Sequence, residues 1–311
     1  MTPDDLVTTD VERAAATIRA GGLVAIPTET VYGLAADATN PEAVRRIFEV
    51  KGRPADHPLI VHLAAADQLD AWAATVPIAA RVLIDAGWPG PLTVIVPRAS
   101  AVHDVVTGGL DTVALRVPAH PMALELLERV TVGLAAPSAN RFGAVSPTTA
   151  EHVLGDLGDR LDPARDVILD GGACPIGVES TIVDCAAVPA QILRAGGVPV
   201  EDVRRLLAGG VADASGPSRA SGMLASHYAP QCAVRLVDSH DDAVALRAGT
   251  VASEILDLTD DLVIYARELY ARLRDADRRG VGTVIAVLPP EEGLGHAIRD
   301  RLTKAAAPRP A

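Results

Sequence analysis

The chain has 311 residues, 49% of them hydrophobic, and a formal net charge of −12 at pH 7. That composition describes a globular protein rather than a disordered one. The acidity argues against a general nucleic-acid binder, which needs a basic surface to meet phosphates. The length admits two domains or one large α/β domain. No apolar run approaches the roughly 20 residues of a bilayer span. The acidic start, Met-Thr-Pro-Asp-Asp, has no basic region followed by an apolar core, so no signal peptide is read there. Cys174, Cys185 and Cys232 lack metal-type spacing and read as small buried hydrophobes in a reducing compartment. A cytoplasmic protein with no membrane association is expected.

In chain order, Asp10 can cap a helix over 11–20, closed by Gly21-Gly22, and a strand follows at 23–27. Asn40-Pro41 is an N-cap and first-turn pair for a helix over 41–50. Further strands are predicted at 59–63, 92–96, 113–117 and 133–136, with helices at 78–86 and 121–130. Ser146-Pro147 opens a helix near 147–157, with Thr148 and Glu151 at capping-box spacing. Apolar runs at 166–170, 180–184 and 191–193 lie too close together for helical crossovers, so an antiparallel or mixed region is expected. A helix at 199–207 closes the first domain. Residues 209–230 lose periodicity and become rich in Gly, Ser, Ala and Pro, while keeping Met223, His227 and Tyr228. A connection that long is often a functional lid. Strands at 232–237 and 282–288, with helices at 260–279 and 294–304, suggest a small parallel α/β domain.

The chemistry concentrates early. Thr28, Glu29, Thr30 and Tyr32 follow the apolar run 23–26, at the carboxyl end of a strand, where open α/β sheets bind ligands. Lys51 and Arg53 follow the next helix, and His62 interrupts a second apolar run. Singly these read as a capped turn, a solvated helix end and a satisfied core histidine. Together they suggest a site for a small anionic substrate plus phosphate. Arg116 interrupts the apolar strand 113–117, and a buried arginine needs an anionic partner. A substrate carboxylate or an internal acidic residue would each serve. Gly172–Gly177 has the outer spacing of a phosphate loop, but Val178-Glu179 follows instead of Lys-Ser/Thr, and Gly-x-Gly-x-x-Gly is absent. A nucleotide would therefore be held by dispersed residues. Ser146 reads as a helix cap, a position that can also face an anion.

The blocks Pro-Thr-Glu-Thr-Val-Tyr-Gly (27–33), Lys-Gly-Arg-Pro (51–54) and Pro-Leu-Ile-Val-His-Leu (58–63) resemble the signature of the YrdC/Sua5 family, the threonylcarbamoyl-AMP synthases. The likeness continues through Ala-Leu-Arg-Val-Pro (114–118), Ala-Pro-Ser-Ala-Asn (136–140), Ser-Pro-Thr (146–148) and Glu-Ser-Thr-Ile-Val-Asp (179–184). It extends to Ile-Leu-Arg-Ala-Gly (192–196), His-Tyr-Ala-Pro (227–230) and Gly-Leu-Gly-His-Ala-Ile (293–298), and so spans nearly the whole chain. It implies an α/β fold: a YrdC-like twisted mixed sheet with flanking helices over 1–208, a linker or lid over 209–230, and a smaller Rossmann-like Sua5 domain over 231–311.

The resemblance implies a reaction of L-threonine, bicarbonate and ATP, with magnesium, giving threonylcarbamoyl-adenylate and pyrophosphate. The adenylate would pass to a separate transferase complex that modifies tRNA, so direct tRNA binding is expected to be weak or absent. It assigns the ATP side to Lys51 and Arg53, as the catalytic cations, with His57, Thr112, Ser138, Ser146, Arg194 and Tyr228. The threonine side is Thr30, His62, Arg116 and Ser180, and no side chain is assigned as a metal ligand. Residues 211–230 would close over the nucleotide, with His227 and Tyr228 touching substrate or phosphate. Two departures stand out. His57 occupies a position where the family usually has Asn. The linker reads Ala220-Ser221-Gly222-Met223, then Ala225-Ser226, where the family has Ser-Pro-Gly-Met followed by an aromatic and a basic residue. The rivals are an RNA-binding or ribosome-maturation module, which the net charge disfavours, and a carbamoyl-adenylate domain of the hydrogenase-maturation type. The latter carries zinc-finger cysteines ahead of this block, and here the block begins near residue 11.

Overall fold

A computed structural model describes residues 3–215 and 228–308. In chain order the strands are β1 (Val7–Thr8), β2 (Val24–Ile26), β3 (Gly33–Asp37), β4 (Ile60–His62), β5 (Leu92–Pro97), β6 (Thr112–Arg116), β7 (Leu134–Ala135), β8 (Val167–Leu169), β9 (Thr181–Asp184), β10 (Ala190–Arg194) and β11 (Val211–Asp213). Then come β12 (Ala233–Val237), β13 (Ser253–Leu256) and β14 (Thr283–Val287). The helices are α1 (Val11–Arg19), α2 (Pro41–Lys51), α3 (Ile78–Gly87), α4 (Asp104–Thr107), α5 (Pro121–Val130), α6 (Ala150–Leu157), α7 (Val200–Leu206), α8 (His240–Ala248), α9 (Leu262–Arg278) and α10 (Gly295–Ala306).

The helix starts follow from local chemistry. Asp10 accepts hydrogen bonds from the Glu12 and Arg13 amides, and Asn40 does the same for Glu42 and Ala43 with Pro41 in the first turn. Gly52, left-handed at φ 63°, ends α2 and turns the chain so that Arg53 leaves the helix axis. One expectation is corrected here. The helix after Ser146-Pro147 begins only at Ala150, capped by the Thr149 side chain bonding the His152 amide. Ser146 lies ahead of it in non-helical backbone, its hydroxyl committed elsewhere.

Among the described residues eleven strands form one mixed sheet in the order β1-β8-β2-β3-β7-β4-β6-β5-β9-β10-β11. The close-set runs near 166–194 split as their spacing demands. β8 joins the far side of the sheet, parallel to β1 and β2, while β9 and β10 pair antiparallel. β11 pairs parallel with β10, so the first sheet extends to Asp213 rather than ending at 208, and the linker begins later than the composition change suggests. On one face the sheet packs on the largest core, to which α2 and α3 contribute. On the other, α1 and α5 cover β2, β3, β7 and β8. The remainder of that second face, floored by Ile60, Ile95, Ala114, Ile182 and Leu193, carries no helix of its own among the described residues and holds the pocket.

The second unit is a three-stranded parallel sheet, β12-β14-β13. Helix α8 and strand β13 were not legible in advance. Ala243 is the one buried residue of α8, which therefore lacks an apolar stripe, and β13 is a short edge strand with two polar residues. Helices α9 and α10 pack on the opposite face from α8 and share a core with Val31, Val145, Val178 and Tyr228. The two units are thus joined by a continuous apolar contact. No helix among the described residues is long and apolar enough to cross a membrane.

Candidate active site

A small pocket opens on this part of the sheet face, at the carboxyl ends of β2, β4 and β6. It is lined by eight of the residues singled out from sequence: Thr30, Arg53, His62, Arg116, Ser138, Ser180, Arg194 and Tyr228. Thr28, Glu29, Thr30 and Val31 form a tight loop after β2. The Thr28 hydroxyl accepts from the amides of Thr30 and Val31 and donates to the Val31 carbonyl, which fixes the Thr30 hydroxyl at 2.8 Å from it.

His62 and Arg116 are register partners on parallel strands β4 and β6, so their side chains rise side by side from one face. Arg116 donates from Nε to the Gly90 carbonyl (3.1 Å), from Nη1 to Thr30 Oγ1 (3.0 Å) and from Nη2 to Glu29 Oε1 (2.6 Å). The internal acidic partner that sequence left open is therefore Glu29, whose other oxygen accepts from the Ala119 amide. Burial pushes Glu29 upward, but the Arg116 charge and that amide outweigh it and hold the carboxyl below its ordinary range. His62 is pushed down to about 3, by burial first and by Arg116 second, so it is a neutral imidazole. Its Nδ1 is buried with no hydrogen-bond partner among the described residues.

Ser180 and Arg194 close the other side. The Ser180 hydroxyl shares a hydrogen bond with Thr93 (2.8 Å), and Arg194 donates to the Ser180 carbonyl from Nε and Nη2. A bulge aims this arginine. Ile192 pairs with Val183 but Arg194 pairs with Ile182, leaving Leu193 as the extra residue. Without it, Arg194 would share the face of Ile192 and point into the main core; with it, Leu193 and Arg194 both reach the pocket side.

Four predicted residues lie outside the lining, for identifiable reasons. Lys51 is buried at the end of α2, and its ammonium donates to the carbonyls of Ser138 and Asn140. Burial and the nearby Arg53 lower its pKa well below the ordinary value. It grips the 137–140 turn from behind. Ser146, expected on the ATP side, is fully buried, and its hydroxyl donates a hydrogen bond to Glu179 Oε1 at 2.6 Å. Thr112 begins β6 on the same face as Arg116, four residues away, or roughly 13 Å along a strand. His57 sits on the rim, edge-on to Phe142 at 5.4 Å, while Arg53 lies 5.8 Å from the same ring. Burial, then Arg53, lowers the His57 pKa. His227 lies outside the described residues, as does segment 216–227 of the expected lid. Tyr228 is inside, fully buried and at the pocket wall.

Sequence reasoning missed Glu29 as a partner, gave Glu179 no role beyond its place in a motif, and passed over Tyr270 and Arg301. Glu179 accepts from Ser146, from Tyr270 (2.9 Å) and from Arg301 (2.9 Å). Burial favours its neutral form, but Arg301, then Arg194, dominate and bring it down to about 2. The signal for Arg301 was present. It falls on the apolar stripe of α10 with Ile298, Leu302 and Ala305, as Arg116 falls within an apolar strand.

Comparison with known proteins gives a consistent picture. A family model for Sua5/YciO/YrdC, described as telomere recombination, matches residues 16–196. A second, described as the threonylcarbamoyl-AMP synthase C-terminal domain, matches residues 198–307. The chain is 42% identical to a threonylcarbamoyl-AMP synthase of Pyrococcus abyssi, over 95% of this chain and 94% of that one. It is 38% identical to the Bacillus subtilis protein of the same description, over 98% and 96% respectively. The crystal structure of P. abyssi Sua5 complexed with L-threonine superposes with a TM-score of 0.89 at 40% identity, covering 95% of this chain and 94% of that chain.

Proposed function

The chain belongs to the Sua5/YciO/YrdC family, and from that premise we propose that it is an L-threonylcarbamoyladenylate synthase, a nucleotidyltransferase using L-threonine, bicarbonate and ATP. The observation that carries this reading is one pocket with two chemically different ends. Thr30, His62, Arg116 and Ser180 offer hydroxyls, a neutral imidazole and a guanidinium, which suit an amino acid with a hydroxyl side chain. Arg53, Arg194, Ser138 and Tyr228 offer cations, a hydroxyl and an aromatic face, which suit a nucleotide and its phosphates.

The proposed chemistry needs no protein nucleophile. The threonine amine and bicarbonate condense to a carbamate with loss of water. A carbamate oxygen attacks the α-phosphorus of ATP, the bond to the β-phosphate breaks, and pyrophosphate leaves. The protein's part is to hold the pieces in line and to spread the developing charge. Arg116 would take the threonine carboxylate with the N–H groups not given to Gly90, Thr30 and Glu29. His62, neutral and with an unmatched Nδ1, would meet the threonine hydroxyl. Arg53 and Arg194 would neutralise the triphosphate, and Lys51 would act indirectly by fixing the Ser138 turn.

Magnesium is proposed to arrive as MgATP, its ligands being phosphate oxygens and water. The inward-facing side chains fit that form of substrate. The carboxylate oxygens of Glu179 are taken by Ser146, Tyr270 and Arg301, so this carboxylate is not offered to a metal. The adenylate product would be consumed by a separate tRNA threonylcarbamoyl-transferase. The test is mass spectrometry of the product formed with isotopically labelled bicarbonate. Labelled threonylcarbamoyl-adenylate supports the reading. Unlabelled carbamoyl-adenylate, made from added carbamoyl phosphate in preference to threonine and bicarbonate, would favour the hydrogenase-type chemistry instead.

A further inference from the structure

The second domain reaches the pocket through two side chains that do not line it. Arg301, on α10, is fully buried. Its Nε donates to Glu179 Oε2 at 2.9 Å, and its Cζ lies 5.1 Å from the centre of the Tyr228 ring. Tyr270, on α9, donates to the same carboxylate and stacks on Tyr228 with ring centres 5.6 Å apart. Glu179 and Tyr228 both stand in the pocket wall. A second cation, Arg194, also acts electrostatically on Glu179 from the pocket side.

The docking around these groups is tight. A Cβ on Gly177 would lie 2.4 Å from Arg267 Cα, so the loop before Glu179 meets the α9 backbone directly. Arg274 pairs with Asp156 at 2.7 Å and donates to the Val145 carbonyl, fixing the loop that carries Ser146. Tyr228 has a left-handed backbone, φ 60°, which a bulky residue keeps only where its surroundings hold it. Here the surroundings are Tyr270 and Arg301.

We propose that Arg301 is a positioning residue for nucleotide binding, which together with Tyr270 holds the Glu179 carboxylate away from Arg194 and fixes the Tyr228 ring in the pocket wall. The inference rests on the reading of the pocket as an ATP site. The physics is that of a buried carboxylate which must have a counterion. With Arg301 present, Glu179 is satisfied from the second domain and Arg194 faces the phosphates. Without it, the cation at hand for Glu179 is Arg194, and the phosphate site loses that charge. The second domain thereby completes the nucleotide site without contributing a contact to the nucleotide.

The experiment is calorimetry on the full chain, titrating MgATP and L-threonine separately. Arg301→Met is expected to weaken MgATP binding by about tenfold or more, the scale of a broken buried charge pair, while threonine affinity stays within about twofold. Adding Glu179→Gln to Arg301→Met removes the stranded charge and is expected to return MgATP affinity to within about threefold of wild type, and Arg301→Lys is expected to fall between wild type and Arg301→Met. Unchanged MgATP binding in Arg301→Met overturns the inference. So does a parallel loss of both ligands that Glu179→Gln does not rescue, because that is the mark of a purely structural role. If Arg301→Met does not fold, Tyr270→Phe decides: a several-fold loss of MgATP affinity supports the inference and wild-type affinity overturns it. Failure of the wild-type chain to bind MgATP would instead count against the functional reading itself.

Discussion

Arg116, in the pocket wall, is joined at 2.6 Å to Glu29, which stands outside the lining, and both are nearly inaccessible to solvent. Each has a second duty: Arg116 also holds Thr30, and Glu29 also holds the Ala119 amide. The pair therefore keeps the Thr30 loop, the end of β6 and the start of the next turn in one geometry. An ion pair with one member in a pocket wall and the other tying that wall to its neighbours couples ligand binding to local structure.

Arg116→Ala is expected to weaken threonine binding by about 10- to 100-fold, because removing a charged hydrogen-bond partner costs roughly 1.5–3 kcal/mol. MgATP affinity should change much less, since Arg53 and Arg194 are separate. Calorimetry on folded variant protein measures both. Unchanged threonine affinity would reduce Arg116 to its structural bond with Glu29.

The carboxylates of Glu29 and Glu179 make the fold sensitive to acid. Both are held below the ordinary value of 4.5, Glu179 at about 2. A depressed carboxyl adds stability that is fully present above its unfolded pKa and lost as pH falls through the folded one. For Glu179 that window runs from about 4.5 down to about 2 and amounts to on the order of 3 kcal/mol. Denaturant unfolding at several pH values should show stability dropping across the upper part of this range. Glu179→Gln should flatten the dependence while lowering stability at pH 7, since buried Arg301 then loses its fully buried carboxylate partner and keeps Asp300 alone. An unaltered slope in that variant would remove Glu179 from the account.

Much of this was legible beforehand, and the failures have physical causes. Strong caps and apolar periodicity located α1, α2, α5 and α9, and the chemistry-bearing blocks placed eight pocket-lining residues. Strand β3, Gly-Leu-Ala-Ala-Asp, was missed because small residues carry little strand signal, and its pairing with β2 and β7 decides its conformation. Ser146 was misread because a serine before a proline resembles a cap, while the distant Glu179 takes its hydroxyl. Arg301 escaped because the argument applied to Arg116, a guanidinium in an apolar stripe, was not applied to α10. The bulge at Leu193 has no local sequence signature, yet it sets the direction of Arg194.

His62 is expected to stay neutral throughout the physiological range. Its folded value of about 3 lies below the ordinary 6.5, so the folded state declines a proton that the unfolded chain accepts. Its contribution to stability is therefore full above about 6.5 and falls as pH drops toward about 3. NMR of the imidazole should show no titration between pH 5 and 8. A midpoint near 6.5 would contradict the burial on which its proposed contact with threonine depends.

Lys51→Met should leave the carbonyls of Ser138 and Asn140 without their donor, costing about 1–3 kcal/mol of stability. The loosened turn should raise the MgATP KM more than the threonine KM. Thermal unfolding and steady-state kinetics test this together. Wild-type stability with a selective fall in kcat would instead mean that the ammonium acts on the reacting phosphate.

The most direct measurement of the central claim is pyrophosphate release with each reactant withheld in turn. The account predicts release only when L-threonine, bicarbonate, ATP and magnesium are all present, with loss of any one reducing it to background. Equal release without threonine or without bicarbonate would contradict the synthase reading, whatever the affinity of the pocket for nucleotide.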